Sequence, residues 1–241
     1  MVYGLGAKGA ALLAERDGIN TDKLRWTQKN KEAKQLFIKH TVAVADVLIT
    51  LERACTPETG LRFVGEDEIL EHAPEATQRM RNPTKVSARV VHKGKPYDLS
   101  IVPDAIFALV ETEGEKRKQY NFFLELDTGT MPITRKAATL TTLHRQTSLM
   151  SKFLTYAQAH ADRQMRERFG WGSFRVLVVT TAHRCESIDK SIQDTLAVDR
   201  SKLVLIYECN GLPGLCAKMK LRRATEKKGT PSLQKTRDEK D

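Results

Sequence analysis

Long hydrophobic runs are missing from this sequence of 241 residues. No apolar stretch approaches the ~18 residues that are needed to cross a bilayer, so we expect no membrane-spanning segment. The beginning of the chain also lacks the charged and then apolar pattern of a signal peptide. These absences favour a cytoplasmic location.

Cysteine and histidine are present, but their spacing is not that of metal ligands. The four cysteines show no C-x-x-C spacing, and the six histidines form no His-x-His or His-x-x-x-His pair. This pattern argues against a zinc site. It favours reduced thiols that are mostly buried.

Acidic residues are outnumbered by basic ones. The chain contains 40 Lys and Arg against 30 Asp and Glu, a net charge of +10 and a pI of about 9.5, which favours nucleic acid as the partner. Residues 218–241 contain nine Lys or Arg and four Asp or Glu, a net +5. Because this tail is also poor in apolar residues, we expect it to be disordered and to add salt-dependent DNA affinity. The basic residues at its start are Lys218, Lys220, Arg222 and Arg223.

Two short apolar stretches carry acidic residues. Asp104 lies within residues 101–109, and Glu125 and Asp127 lie at the end of residues 122–127. Residues two apart in a strand share a face, so Glu125 and Asp127 point the same way, and Asp104 joins them if the two strands pair. Three carboxylates at one point repel unless a cation compensates, and such oxygen ligands suit Mg²⁺ or Mn²⁺ in phosphate chemistry. The alternative is three strand-end acids paired with nearby Lys and Arg.

The remaining pattern predicts an α/β chain around these acids. Helices are predicted over residues 30–54, 66–71, 135–168 in one or two pieces, and 182–196. Strands are predicted over residues 61–64, 87–92, 97–101, 174–181 and 202–208, the last two parallel. Residues 111–121 are too polar to be buried and are predicted as a loop. Pro103 lacks a backbone donor, so we expect a sheet edge, bulge or bend that aims Asp104 into a site.

The order of Pro103-Asp104, a linker, and then Glu125 and Asp127 on an apolar strand resembles the PD-(D/E)xK nuclease core. More narrowly, this order followed by Lys152 and Tyr156 on a helix, over roughly residues 1–210, resembles the replication-relaxation family of plasmid and integrative-element proteins, which includes MobC-type relaxases. The resemblance implies a restriction-endonuclease-like mixed sheet flanked by helices. It also implies a metal-dependent site that nicks DNA, in which Asp104, Glu125 and Asp127 hold Mg²⁺ or Mn²⁺.

Lys152 has a role implied by the same resemblance. In many nucleases of this fold a lysine stands at the position that Asp127 occupies here, and family members supply that charge from the helix instead. Lys152 would then be catalytic. The alternative is an exposed helix lysine.

Tyr156 lies four residues after Lys152 and therefore on the same face of the helix. Tyrosine-type relaxases combine their nucleophile with a histidine cluster, which this sequence lacks. We therefore expect Tyr156 to pack beside Lys152 or to contact DNA phosphate. Arg163, Arg166 and Arg168 follow it and are expected to meet phosphates, although a solvated helix end explains them equally well.

The N-terminal segment resembles part of a winged helix-turn-helix. Residues 2–5 match the last wing strand and residues 10–16 the following helix, with no recognition helix before them in this chain. We therefore predict a partial winged-helix remnant over residues 1–28, the α/β domain over 29–215 and the basic tail over 216–241.

The expected function is that of a DNA-binding protein of plasmid or mobile-element replication or mobilisation, which nicks DNA at the origin region. Other relaxosome or replication proteins are the expected partners. The alternative is a non-catalytic DNA-binding accessory or regulatory protein of replication or relaxosome assembly. A basic α/β interaction module is a third possibility.

Overall fold

The computed structural model describes residues 7–17, 35–92, 94–134, 148–196 and 203–208. The chain divides into two compact units between Ala43 and Val44. The first unit contains helix α1 (Ala7–Asp17) and the beginning of helix α2 (Gln35–Ala54). The second unit contains the rest of α2 and every strand in the described ranges.

The second unit contains both strands and helices. The strands are β1 (Leu61–Val64), β2 (Val86–His92), β3 (Lys95–Ile101), β4 (Ala105–Glu113), β5 (Lys116–Leu126), β6 (Arg175–Thr180) and β7 (Val204–Glu208). The helices after α2 are α3 (Glu66–Glu71), α4 (Glu75–Gln78), α5 (Leu149–Ala161), α6 (Gln164–Phe169) and α7 (Ala182–Thr195). The described helices include none that is long and apolar enough to span a bilayer.

The main sheet has five strands in the order β1-β4-β5-β6-β7. Strand β4 is antiparallel to both of its neighbours, β1 and β5, whereas β5, β6 and β7 run parallel to one another. Parallel neighbours need a crossover connection. Helices α5 and α6 lie in the connection from β5 to β6, and α7 lies in the connection from β6 to β7. The fold is therefore mixed α/β, with a five-stranded sheet flanked by helices, as the sequence predicts.

The core lies against both faces of the second half of β5, where every residue from 121 to 126 is buried. On one face Phe123 belongs to a cluster with Tyr156 of α5 and Ile188 of α7. On the other face the rings of Phe107 and Phe122 stack with their centroids 4.9 Å apart. An acidic residue in this half of β5 is therefore buried whichever way it points.

Residues 111–121 form strands, which corrects the predicted loop. They are the outer arms of β4 and β5, which pair up to Glu113 and Lys116 and turn at Gly114 with a φ of 58°. Most of these side chains are exposed, as their polarity predicts. Glu111 lies opposite Lys118, and such opposite-charge pairs stabilise strand pairing without burial.

A separate two-stranded sheet is formed by β2 and β3. Its buried residues include Val90 and Leu99, and Leu154 of α5 packs against them. The chain leaves this hairpin at Ile101 and enters the main sheet at Ala105. Pro103 lies between the two sheets, which agrees with the bend expected at this residue.

The other predicted elements agree with the structure where it describes them, except that the short helix α4 lies in a segment predicted as loop. The predicted helix over 135–168 is described only from residue 149 onward, as α5 and α6. The wing strand at residues 2–5 and the basic tail lie outside the described residues. The winged-helix remnant therefore stays a prediction, although α1 covers the helix expected after the wing.

Candidate functional site

Asp104 and Glu125 lie beside each other where β4 begins next to the end of β5. Ala105 pairs with Leu124 at the beginning of β4, and Asp104 directly precedes that pair. The backbone N–H of Asp104 donates to the carbonyl oxygen of Leu124 at 3.0 Å. The backbone N–H of Leu126 donates to Asp104 Oδ2 at 2.7 Å. The charge of Asp104 acts on Glu125, so two of the three predicted acids lie near each other.

Glu125 is a buried carboxylate with two donors from one helix. Its side chain is only 1% exposed. Lys152 Nζ donates to Glu125 Oε2 at 2.5 Å, and the hydroxyl of Tyr156 donates to Glu125 Oε1 at 2.6 Å. Burial raises the pKa of Glu125 and the nearby charge of Asp104 adds to this, while Lys152 and Tyr156 oppose the rise. The Glu125 carboxylate thus accepts hydrogen bonds from an ammonium and a phenol, and its pKa depends on the charges around it.

Helix α5 brings both donors to the same place because Lys152 and Tyr156 are four residues apart on one helix face. Its first turn is fixed by a capping box, in which the side chains of Ser148 and Ser151 each accept from the other's backbone N–H. The backbone N–H of Leu149 also donates to the carbonyl oxygen of Pro132, at 3.2 Å. The start of the helix is therefore tied to the segment that follows β5.

Asp127 is held in a different environment, away from the other two acids. Its Oδ2 accepts from Arg184 Nε at 2.7 Å and from Thr180 Oγ1 at 2.8 Å. Its Oδ1 accepts from the backbone N–H of Gly129 at 3.1 Å and from Arg184 Nη2 at 3.3 Å. Asp127 is thus a buried strand-end acid paired with an arginine, which was the alternative interpretation of the sequence. As a metal ligand it is not brought into the group with Asp104 and Glu125.

Arg184 is a site residue that the sequence reasoning missed. Besides Asp127, its Nη2 contacts the carbonyl oxygen of Met131 at 2.8 Å, so one guanidinium joins the end of β5 to the connection toward α5. Only the strand order indicates that Arg184 belongs to the site. Leu126 of β5 pairs with Val179 of β6, and α7 begins directly after β6, so the first turn of α7 lies beside Asp127.

Tyr156 is completely buried, with 0% exposure, which corrects its assignment as a DNA-contacting residue. A side chain without accessible surface cannot reach a phosphate. Burial and the Glu125 carboxylate raise the pKa of the Tyr156 phenol well above its ordinary value, so the hydroxyl stays protonated and acts as a donor. The positional role is the one that the structure shows. Lys152 is also enclosed, at 12% side-chain exposure, which excludes the alternative of an exposed helix lysine.

Asp104, Glu125, Lys152 and Tyr156 lie within a segment that matches a known family. The family model described as replication-relaxation matches residues 1–169. The chain belongs to the replication-relaxation family. No curated protein and no solved structure matches the chain. The family match includes Asp104, Glu125 and Lys152 and ends before Arg184.

An ion held by two carboxylates stays the prediction for this replication-relaxation protein. Among the residues that the structure describes, no group of three or more His, Cys, Asp or Glu side chains is placed to hold one metal ion. Mg²⁺ in phosphate chemistry is usually bound through one or two carboxylates, with water and phosphate as the other ligands. Asp104 and Glu125 supply that donor set, whereas a three-carboxylate site that includes Asp127 does not fit this geometry.

The basic residues predicted to bind DNA in this family member fall into different groups. Arg163 and Arg166 are exposed, so their contact with phosphates stays a prediction. Arg168 differs, because it is half-buried and donates to the carbonyl oxygens of Pro83 and Lys85, which makes it structural. The tail residues Lys218, Lys220, Arg222 and Arg223 lie outside the described ranges.

Proposed function

We propose that this replication-relaxation protein binds DNA in the replication or mobilisation of a plasmid or other mobile element. We further propose that it nicks this DNA with a divalent metal ion that Asp104 and Glu125 hold. The observation that supports this proposal is the convergence of two carboxylates and one ammonium. Lys152 Nζ lies 2.5 Å from Glu125 Oε2, and the charge of Asp104 also acts on Glu125. Two neighbouring acids that can hold a metal ion, beside an amine, suit metal-assisted phosphodiester cleavage.

The order of the elements supports a PD-(D/E)xK-like core. Helix α2 precedes the antiparallel strands β1, β4 and β5, and α5 then leads to the parallel strand β6. The two acids lie on β5 and just before β4. The hairpin β2–β3 is an insertion between β1 and β4 in this scheme. The family membership supports the same setting, since its description names replication.

Each residue of the site would have a separate task. Asp104 and Glu125 would hold Mg²⁺ or Mn²⁺, which when bound lowers the pKa of a water and stabilises charge on the phosphorane and the leaving oxygen. Lys152 favours the ionised form of the buried Glu125, and its ammonium has three N–H donors, so it can also donate to a phosphate. Tyr156 holds the second oxygen of Glu125 and thereby fixes the orientation of the carboxylate.

A non-catalytic DNA-binding accessory protein is the second candidate, and a specific observation favours it. Both oxygens of Glu125 accept from protein donors, and Asp127, at the usual lysine position, is paired with Arg184. Acids that are neutralised by the protein's own cations are stable without a metal ion. In that case the family fold would serve relaxosome or replication assembly without cleaving DNA.

Nicking of supercoiled plasmid that carries the cognate origin separates the two candidates. We expect the wild-type protein to nick with Mg²⁺ or Mn²⁺, and Asp104→Asn and Glu125→Gln to reduce the rate by about 100-fold or more while leaving DNA binding intact. Asp98→Asn is the matched control, because Asp98 is an exposed acid of β3 that pairs only loosely with Arg89, at 4.0 Å. If both site variants nick as fast as the control, the site is misassigned. If the wild-type protein binds the origin but nicks with neither ion, the accessory function is correct.

A further inference from the structure

A cleft of about 370 Å³ lies at the other end of β5 from Glu125. Gln119 lines it and lies six residues before Glu125 on the same strand. At ~3.4 Å per residue this spacing puts the cleft about 20 Å from the acids. It is therefore a separate feature of the same sheet.

Cationic groups outnumber acidic ones in the lining of this cleft. Glu68 is the acid, and Arg62 Nη1 donates to both of its carboxylate oxygens, at 2.9 and 2.8 Å. The hydrogen bonds from Arg62 lower the pKa of Glu68, and the charge of Arg117, which also lines the cleft, acts in the same direction. The cleft thus holds two guanidinium groups against one carboxylate, which suits an anionic ligand.

The rest of the lining is apolar and aromatic. Phe169 and Trp171 lie with their ring centroids 4.8 Å apart and line the cleft together with Val64 and Ile69. Trp171, Val64 and Ile69 are buried and belong to the main core, so this wall is fixed by packing. A simple inorganic anion would make no use of it. The lining therefore favours a ligand that has both an anionic group and a flat apolar body.

We propose that this cleft binds a nucleotide unit, with the phosphate at Arg62 and Arg117 and the base against the wall of Phe169 and Trp171. The volume falls in the range of small-ligand sites, ~300–1,000 Å³. Arginine pairs with phosphate through parallel hydrogen bonds, and aromatic side chains stack on any base. The side-chain amide of Gln119 donates to Asn121 Oδ1 at 2.7 Å, which fixes that amide and presents its carbonyl oxygen as an acceptor for a base amino group. Binding here requires neither a metal ion nor cleavage at Glu125.

Titration with deoxyadenosine monophosphate tests this site on the full-length protein. The chain contains two tryptophans, so Trp26→Phe leaves Trp171 as the only fluorescent indole, and calorimetry provides a second readout. We expect saturable binding of the monophosphate, with deoxyadenosine and inorganic phosphate each weaker by about tenfold or more, since each lacks one half of the recognition. No saturable signal from the monophosphate at millimolar concentration in either measurement would overturn the proposal.

Arg117→Ala and Lys118→Ala form the matched pair of variants. The two residues are adjacent on β5 and point to opposite faces of the sheet. Each variant therefore loses one exposed cation, but only Arg117 lines the cleft. Arg117→Ala should weaken binding by about tenfold or more and Lys118→Ala by less than about twofold. Equal weakening in both variants would show general charge attraction and contradict a specific site.

Two further experiments test whether the nucleotide belongs to a DNA strand and whether binding in the cleft is independent of Glu125. A 5′-phosphorylated single-stranded oligonucleotide that binds more tightly than the free monophosphate would show a site for a DNA strand end, and the reverse order would show a site for the free nucleotide. Glu125→Gln should bind the monophosphate as the wild-type protein does. The absence of DNA nicking and the absence of monophosphate binding in the cleft can therefore be distinguished.

Discussion

At the scale of single residues, Glu125 has a raised pKa because the core encloses it and because the charge of Asp104 is near. Below its ordinary pKa of 4.5 the carboxyl is protonated in both the folded and the unfolded chain, and folding carries no charge penalty. As the pH rises above that value, the unfolded chain releases this proton before the folded chain does. The free energy of unfolding therefore falls until the folded pKa is passed.

Replacing Glu125 by Gln removes this pH dependence. We expect the difference in unfolding free energy between the wild-type protein and Glu125→Gln to shift in favour of the variant as the pH rises from about 4 to about 7. Urea denaturation across that range measures the difference. Glu66, whose pKa is also raised by burial, is present in both proteins and cancels. A difference that stays constant with pH, or that grows in favour of the wild-type protein, would contradict the assigned direction.

Tyr156 stabilises the protein through its hydrogen bond to the buried Glu125. Tyr156→Phe leaves a buried carboxylate oxygen without its donor, so we expect a loss of about 1–3 kcal/mol in urea denaturation. Tyr120→Phe is the control, because the Tyr120 hydroxyl also donates to a glutamate, Glu111, at 3.1 Å but in a half-buried place. That change should cost less than about 0.5 kcal/mol. Equal losses in both variants would mean that Glu125 gains nothing from the phenol.

At the scale of elements, the end of β5 and the starts of α5 and α7 form one connected unit. Arg184 of α7 binds Asp127 after β5 and the carbonyl oxygen of Met131. The next residues accept from the first turn of α5, where the N–H of Met150 donates to the oxygen of Ile133 at 3.0 Å. Lys152 follows within the same turn. Arg184 is therefore a positioning residue for the lysine of the site.

Loss of Arg184 should destabilise the protein because it leaves Asp127 as a buried, unpaired charge. We expect Arg184→Ala to lower the unfolding free energy by about 3–5 kcal/mol. Arg79→Ala removes an arginine from an exposed ion pair with Glu75 and should cost less than about 0.5 kcal/mol. If the two variants unfold at the same urea concentration, the ion pair of Asp127 does not hold the elements together.

Local pattern explains which elements were predictable from the sequence. The alternation at residues 87–92 and 97–101 predicts the hairpin, and residues 101–109 and 122–127 predict two acidic strands whose pairing would bring Asp104 near Glu125. The partners of Asp127 were not predictable, because they depend on the parallel pairing of β5 with β6 and on a helix that begins 55 residues later, at Ala182. The outer arms of β4 and β5 were not predictable from the sequence, because the side chains of an exposed strand need not alternate between apolar and polar. Burial of Tyr156 depends on which helix face meets the sheet, and the spacing to Lys152 does not decide that.

At the scale of the whole molecule, excess positive charge should set DNA affinity. The net charge is +10, of which residues 218–241 carry +5. Removing these residues should weaken DNA binding and make the decline of log affinity with log salt less steep, because fewer counterions are released. Fluorescence anisotropy with one labelled duplex at several salt concentrations measures both. An unchanged slope would show that the tail does not contact the phosphates.

The most direct test of the central claim is to map where a divalent ion sits in the complex with origin DNA. Fe²⁺ in place of Mg²⁺ generates hydroxyl radicals with ascorbate and peroxide, and these cut the protein backbone beside the bound ion. We predict protein fragments that end near Asp104 and near Glu125, and their loss in Glu125→Gln but not in Asp98→Asn. Fragments that end elsewhere, or a pattern that Glu125→Gln leaves unchanged, would contradict a metal site at these two acids.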